Sequence, residues 1–102
     1  KAARVEAARP ARRPALDEAV RVPGNTVDLR GMRVEEGLEL VDLMIGEAPS
    51  RELDTLFILH GHGTGAMKDA VRRFLATNKR VAAWAPASAV QGGDAFSVVQ
   101  VG

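Results

Sequence analysis

There is no cysteine among the 102 residues and no tyrosine, with one tryptophan and three phenylalanines. The first absence excludes disulfides, thiolate metal sites and a cysteine nucleophile, and it agrees with a reducing, cytoplasmic setting. So few aromatics mean that stacking on bases cannot be the chief means of gripping a nucleic acid. No apolar run approaches the ~18 residues of a membrane-spanning helix, so no membrane partner is expected. The start, Lys1-Ala2-Ala3-Arg4, has neither an initiator methionine nor a leader-like apolar stretch, and reads as an internal piece of a longer polypeptide.

Charge of one sign is not in surplus overall, at a net +1, but it is unevenly placed. Residues 1–24 carry six Lys and Arg against three acids, while residues 25–102 carry eight against ten. With Pro10, Pro14 and Pro23 and much Ala and Arg, the stretch 1–24 is expected to be a basic, disordered linker. A short helix over 15–20 would have little apolar face to bury. A basic arm of this kind adds non-specific affinity for phosphate backbones. Hydrophobic residues make up 46% of the chain, enough for one core, and the folded domain is expected over 25–102.

Thr26-Val27-Asp28-Leu29 reads as a short strand ending at Gly31. Val34, Leu38, Val41, Ile45 and Ala48 then fall on one helical stripe, with Glu35 and Glu36 in the first turn and Pro49 as a stop. Gly37 inside that helix costs on the order of 1 kcal/mol relative to Ala. Thr55-Leu56-Phe57-Ile58-Leu59 is a continuous apolar run, as in a strand covered on both faces. It leads into His60-Gly61-His62-Gly63-Thr64-Gly65 and a second helix from Ala66 to Thr77, whose stripe is Met67, Ala70, Val71, Phe74 and Leu75. A strand from Arg80 to Trp84, a loop closed by Gly92-Gly93, and a last strand from Ala95 to Val101 complete the chain. The order β-α-β-α-β-β predicts an α/β fold, a two-layer sandwich with a four-stranded mixed sheet. The first strands should be parallel and the last two an antiparallel pair.

In such sheets ligands gather at the carboxyl ends of strands. Asp28 and Arg30 lie at the end of the first strand and His60 at the end of the second, so the three are expected at one edge. Gly61, Gly63 and Gly65 permit close backbone approach, and the loop opens into a helix whose free N–H groups favour an anion. His62 and Thr64 in the loop, and Lys68 and Arg72 on the helix, are the further candidate contacts to phosphate. The motif is neither a Walker loop nor GxGxxG. His60 and His62 at i, i+2 resemble half a metal site, but no third ligand beyond Asp28 is evident, so no structural metal is expected. An imidazole here suits proton transfer. The alternative for His60 is a buried strand-end histidine bonded to backbone, and for His62 a solvent-facing loop residue. Asp28 could cap a turn, accept a proton or orient His60. Arg30 has a planar fork suited to phosphate oxygens, and is otherwise a surface cation.

Val27-Asp28-Leu29-Arg30-Gly31-Met32 and His60-Gly61-His62-Gly63-Thr64-Gly65 resemble the two leading motifs of Smr domains, and Gly92-Gly93-Asp94-Ala95 stands where that family has a Gly-Gly-x-Gly motif. Arg at position 30 is similar to the version carried at the C-terminus of the second bacterial MutS paralogue, after a charged linker. The resemblance implies a fold like the C-terminal domain of translation initiation factor three, binding to DNA or RNA, and nicking or endoribonuclease activity. It implies a parent ATPase, a homodimer linked to recombination suppression or to rescue of stalled ribosomes, with the isolated domain monomeric. Carried over to this chain, Asp28, Arg30 and His60 would be catalytic: His60, oriented by Asp28, would deprotonate water or a ribose 2′-hydroxyl. Gly61, Gly63 and Gly65 would face phosphate. Cleavage of DNA by water would recruit a divalent cation, magnesium or manganese. The alternative is a binding module for DNA, RNA or the ribosome without catalysis. The sequence departs from the family at His62, often Lys in relatives, at Ala95 in place of glycine, and at Gly37, where Ala is expected.

Overall fold

The computed structural model describes Leu16 and residues 18–102. Most of the expected linker therefore lies outside the described residues. Four strands form one sheet: β1 (Thr26–Asp28), β2 (Thr55–Leu59), β3 (Val81–Pro86) and β4 (Phe96–Val101). Helices α1 (Val34–Glu47) and α2 (Ala66–Thr77) follow β1 and β2. The spatial order is β1-β2-β4-β3. β1 and β2 are parallel, with Asp28 opposite Leu59, and β4 runs antiparallel between β2 and β3. Inserting β4 there places its first residues beside the exit of β2.

Period-two alternation divides the sheet into two faces. Val27, Leu29, Leu56, Ile58, Val81, Trp84 and Val99 meet Val41 and Ile45 of α1 and Val71 and Leu75 of α2. A register shift between Val81 and Ala83 lets residues 81 and 84, an odd number apart, share that face. Leu56, Phe57 and Ile58 are all buried, as the uninterrupted apolar run requires. At Gly37 a Cβ would lie 2.8 Å from the Met67 thioether, so the end of that flexible side chain would have to move to admit one.

The other face carries Phe57, Phe96, Val98, Ala83 and Ala87, and Leu16 and Ala19 pack onto it. Arg21 lies over the Phe96 ring, 4.4 Å from its centroid, and donates to the Gln91 carbonyl at 2.8 Å. Asn25 closes the turn Pro23–Asn25 by accepting from Val22 N–H and donating to the Val20 carbonyl. The boundary expected at residue 25 thus falls inside a packed segment, because the second face of β2 needs a cover. Among the described residues no helix is long and apolar enough to cross a membrane.

Candidate functional site

Three backbone hydrogen bonds join the three glycine-containing motifs at one edge of the sheet. Leu29 N–H donates to the Leu59 carbonyl at 2.8 Å, and His60 and Gly61 N–H both donate to the Ala95 carbonyl, at 3.1 and 3.0 Å. The convergence expected of Asp28, Arg30 and His60 therefore holds for their backbones. Their side chains divide.

Val27 and Leu29 point to the helices, so Asp28 between them points to the opposite face. Arg30 folds back onto it: Nε donates to Oδ1 at 3.0 Å and Nη2 to Oδ2 at 2.9 Å, while Arg30 N–H also reaches Oδ1. Both side chains are about half exposed or more, at 49% for Asp28 and 63% for Arg30. The side-chain hydrogen bonds from Arg30 hold the Asp28 carboxyl below its usual range, and Asp28 raises the Arg30 guanidinium in turn. The Arg30 stem crosses the glycine loop, with Cγ 3.4 Å from where a Gly61 Cβ would stand. Gly61, at φ 75°, adopts a left-handed conformation that glycine holds without strain.

His60 continues the Leu56–Ile58 side of β2 and is buried under α2. Its Nδ1 lies 3.1 Å from the Gly61 carbonyl and its Nε2 lies 2.9 Å from Ser97 Oγ. A carbonyl can only accept, so Nδ1 carries the proton and Nε2 receives the Ser97 hydroxyl. Ser97 Oγ in turn accepts from Arg72 Nε at 2.8 Å. Arg72 also donates to the Phe96 carbonyl, pairs through Nη1 with Asp94 Oδ1 at 2.9 Å, and lies over the Trp84 ring. Lys68 Nζ takes the other Asp94 oxygen at 2.6 Å. The hydrogen bonds from Lys68 and Arg72 hold the Asp94 carboxyl down to about 2. Burial, then the charges of Arg72 and Lys68, push the His60 pKa down, against the opposing pull of the Gly61 carbonyl and Asp94.

Two expectations are corrected by this geometry. Asp28 does not orient His60, because alternation sends the two side chains to opposite faces and each finds other partners. Lys68 and Arg72 are not free cations at a helix end, because Asp94 engages both. His62, Gly63 and Thr64 are exposed at the loop tip. Thr64 Oγ1 accepts from Ala66 N–H at 3.2 Å, and Gly65 at φ 89° starts α2. The sequence alone points to no role for Asp94 or Ser97. A serine within the apolar run Phe96-Ser97-Val98-Val99 was the available signal for the second. Among the described residues no group of three or more His, Asp or Glu side chains converges to hold a metal ion. Asp28 and Asp94, two carboxylates at this edge, are each paired with cations of the protein and offer a divalent ion no free donor.

A family model described as the Smr domain matches residues 27–102. The chain belongs to the Smr domain family. Endonuclease MutS2 of Thermus thermophilus is 47% identical over 73 residues, which are 72% of this chain and 10% of that protein. Endonuclease MutS2 of Anaeromyxobacter sp. is 38% identical over 94 residues, 92% of this chain and 11% of that protein. The chain thus spans about a tenth of the length of the curated relatives it matches. The crystal structure of the Smr domain of Thermus thermophilus MutS2 superposes with a TM-score of 0.74 at 44% identity, covering 76% of this chain and 98% of that one. The stand-alone small MutS-related protein YdaL from Escherichia coli shares the fold, with a TM-score of 0.78 at 24% identity over 85% of this chain and 71% of that one.

Proposed function

We propose that this Smr domain binds a nucleic-acid strand across the edge formed by Asp28, Arg30 and the glycine loop, and cleaves its phosphodiester backbone. The observation that carries this reading is the exposed bidentate Asp28–Arg30 pair laid across Gly61. Arg30 uses Nε and Nη2 on Asp28, and its remaining Nη1 edge suits a phosphate oxygen. The loop lies beside the first turn of α2, where backbone N–H groups and the helix dipole favour an anion. Cleavage then follows from charge stabilisation. A water or a ribose 2′-hydroxyl attacks phosphorus, its proton passes to the ionised Asp28 carboxylate, the bond to the leaving oxygen breaks, and that oxygen takes a proton from water or back from Asp28, while Arg30 and the loop amides neutralise the phosphate. No step runs through a metal ion. The names of the MutS2 relatives support the nuclease class.

One observation favours a second reading, binding without cleavage. Both ring nitrogens of His60 are occupied by the protein itself, so the imidazole is not open to a substrate.

The test is cleavage and retention of end-labelled RNA and DNA by the wild type, Asp28→Asn and Arg30→Ala, over a range of salt. Asp28→Asn should bind and fail to cut. Arg30→Ala should lose both, with a shallower salt dependence of binding, by about one phosphate contact. Wild-type retention with no product from either polymer selects the second reading, and full cutting by Asp28→Asn removes Asp28 from the chemistry.

A further inference from the structure

His60 opens the glycine loop of the candidate site, yet its hydrogen bonds are those of a fixed part. The Gly61 carbonyl is held against Nδ1 and the Ser97 hydroxyl against Nε2. The tautomer follows from donor counting alone. If Nε2 carried the proton instead, Nδ1 and the Gly61 carbonyl would face each other as two acceptors. With the proton on Nδ1, Nε2 is an acceptor, and Ser97 Oγ donates to it while accepting from Arg72 Nε. Ser97 is fully buried, which makes an unpartnered hydroxyl there costly.

The Gly61 carbonyl belongs to the peptide that ends at His62 N–H. That peptide is trans, so its carbonyl and N–H point in opposite directions. Holding the carbonyl inward turns His62 N–H outward, at the tip of the loop where His62 itself is exposed. Gly61 at φ 75° permits this peptide orientation, and Ala95 fixes its other end by accepting from Gly61 N–H.

We infer that His60 is a positioning residue that aims the His62 backbone N–H at a phosphate oxygen, and that Ser97 and Arg72 hold its ring in the tautomer this requires. The inference rests on the phosphate-binding part of the proposed function. It assigns His60 no proton transfer to substrate. Arg72 likewise acts from inside, through Ser97, and does not touch the strand.

Asparagine at position 60 separates the roles. Its Nδ2 occupies the place of the histidine Nδ1 and can donate to the Gly61 carbonyl, but it cannot exchange a proton near neutral pH. The experiment measures binding and cleavage of a single-stranded RNA oligonucleotide by the wild type, His60→Asn and His60→Ala. Imidazole nitrogen resonances of the wild type and Ser97→Ala are recorded alongside. The wild-type His60 spectrum should show Nδ1 protonated and Nε2 bare, and Ser97→Ala should lose that preference. His60→Ala should weaken binding about tenfold, as the loss of one aimed donor to a charged group does. His60→Asn should recover most of the binding, and of the cleavage where the wild type cleaves.

A wild-type Nε2–H tautomer overturns the inference. So does a His60→Asn protein that binds like wild type and cuts no better than His60→Ala, since that pattern belongs to a proton-transfer group. A wild type that binds no oligonucleotide removes the earlier functional reading instead, even where the nitrogen spectrum is as expected.

Discussion

Ser97 Oγ stands 2.9 Å from His60 Nε2 and 2.8 Å from Arg72 Nε, so one buried hydroxyl joins β2 to α2. Its removal leaves an imidazole acceptor and a guanidinium donor without that partner. Ser97→Ala should therefore destabilise the domain by about 2 kcal/mol, although it removes only one oxygen. Urea denaturation followed by the fluorescence of Trp84 measures this. A loss under about 0.5 kcal/mol, the range of ordinary surface changes, would mean that the hydroxyl is not a structural junction.

Gly92 and Gly93 should differ sharply as sites for alanine. Both have left-handed φ, 114° and 64°. A Cβ on Gly92 would overlap the ring of Phe96, which is itself buried, whereas Gly93 has open space around it. Gly93→Ala should lose about 1 kcal/mol from backbone strain alone. Gly92→Ala adds a clash with the ring, and should lose about 3 kcal/mol. Equal losses in paired thermal melts would show that the loop, and not the ring, yields.

The elements were readable because their causes are local. The apolar run 55–59 and the two helical stripes need no partner to be recognised, and they hold. The edge that gathers the motifs followed from strand order. The division of the side chains at this edge is also written in the chain. Val27 and Leu29 flank Asp28, while Leu56, Ile58 and His60 share a parity, so Asp28 and His60 had to face opposite sides of the sheet. Asp94 and Ser97 were harder. Their partners, Lys68, Arg72 and His60, lie 22 to 37 positions away and meet them only because β4 inserts beside β2. Two charges that looked available to phosphate were thereby absorbed into an internal pair.

The segment before residue 25 should contribute to stability, against the linker expected there. Leu16 is 5% exposed in the cluster around Phe57 and Phe96. Leu16→Ala should cost about 2 kcal/mol, the lower end of the range for a buried leucine at the margin of a core. Arg21→Ala, which removes the cation over Phe96 and the bond to Gln91, should cost about 1 kcal/mol. Unchanged urea midpoints in both variants would return residues 16–24 to the status of a tether.

Acid should weaken the domain in two separable steps. The folded His60 pKa lies below its ordinary 6.5 because burial and the charges of Arg72 and Lys68 resist the proton. As the pH falls through that value the unfolded chain takes up a proton that the folded one refuses, so stability is full above 6.5 and declines below it. Asp94 acts lower. Its carboxyl is held down to about 2 from 3.8 by Lys68 and Arg72, so its contribution is present above 3.8 and disappears as the pH falls towards 2. Asp94 is half exposed, and salt should shrink this second step. Urea midpoints recorded from about pH 8 to pH 2 for the wild type, His60→Asn and Asp94→Asn resolve the two. The difference between wild type and His60→Asn should change between pH 6.5 and the lower folded value, and that for Asp94→Asn only below 3.8. A flat His60 difference curve would mean that the imidazole accepts its proton in place, with the Ser97 hydroxyl turning away to let it.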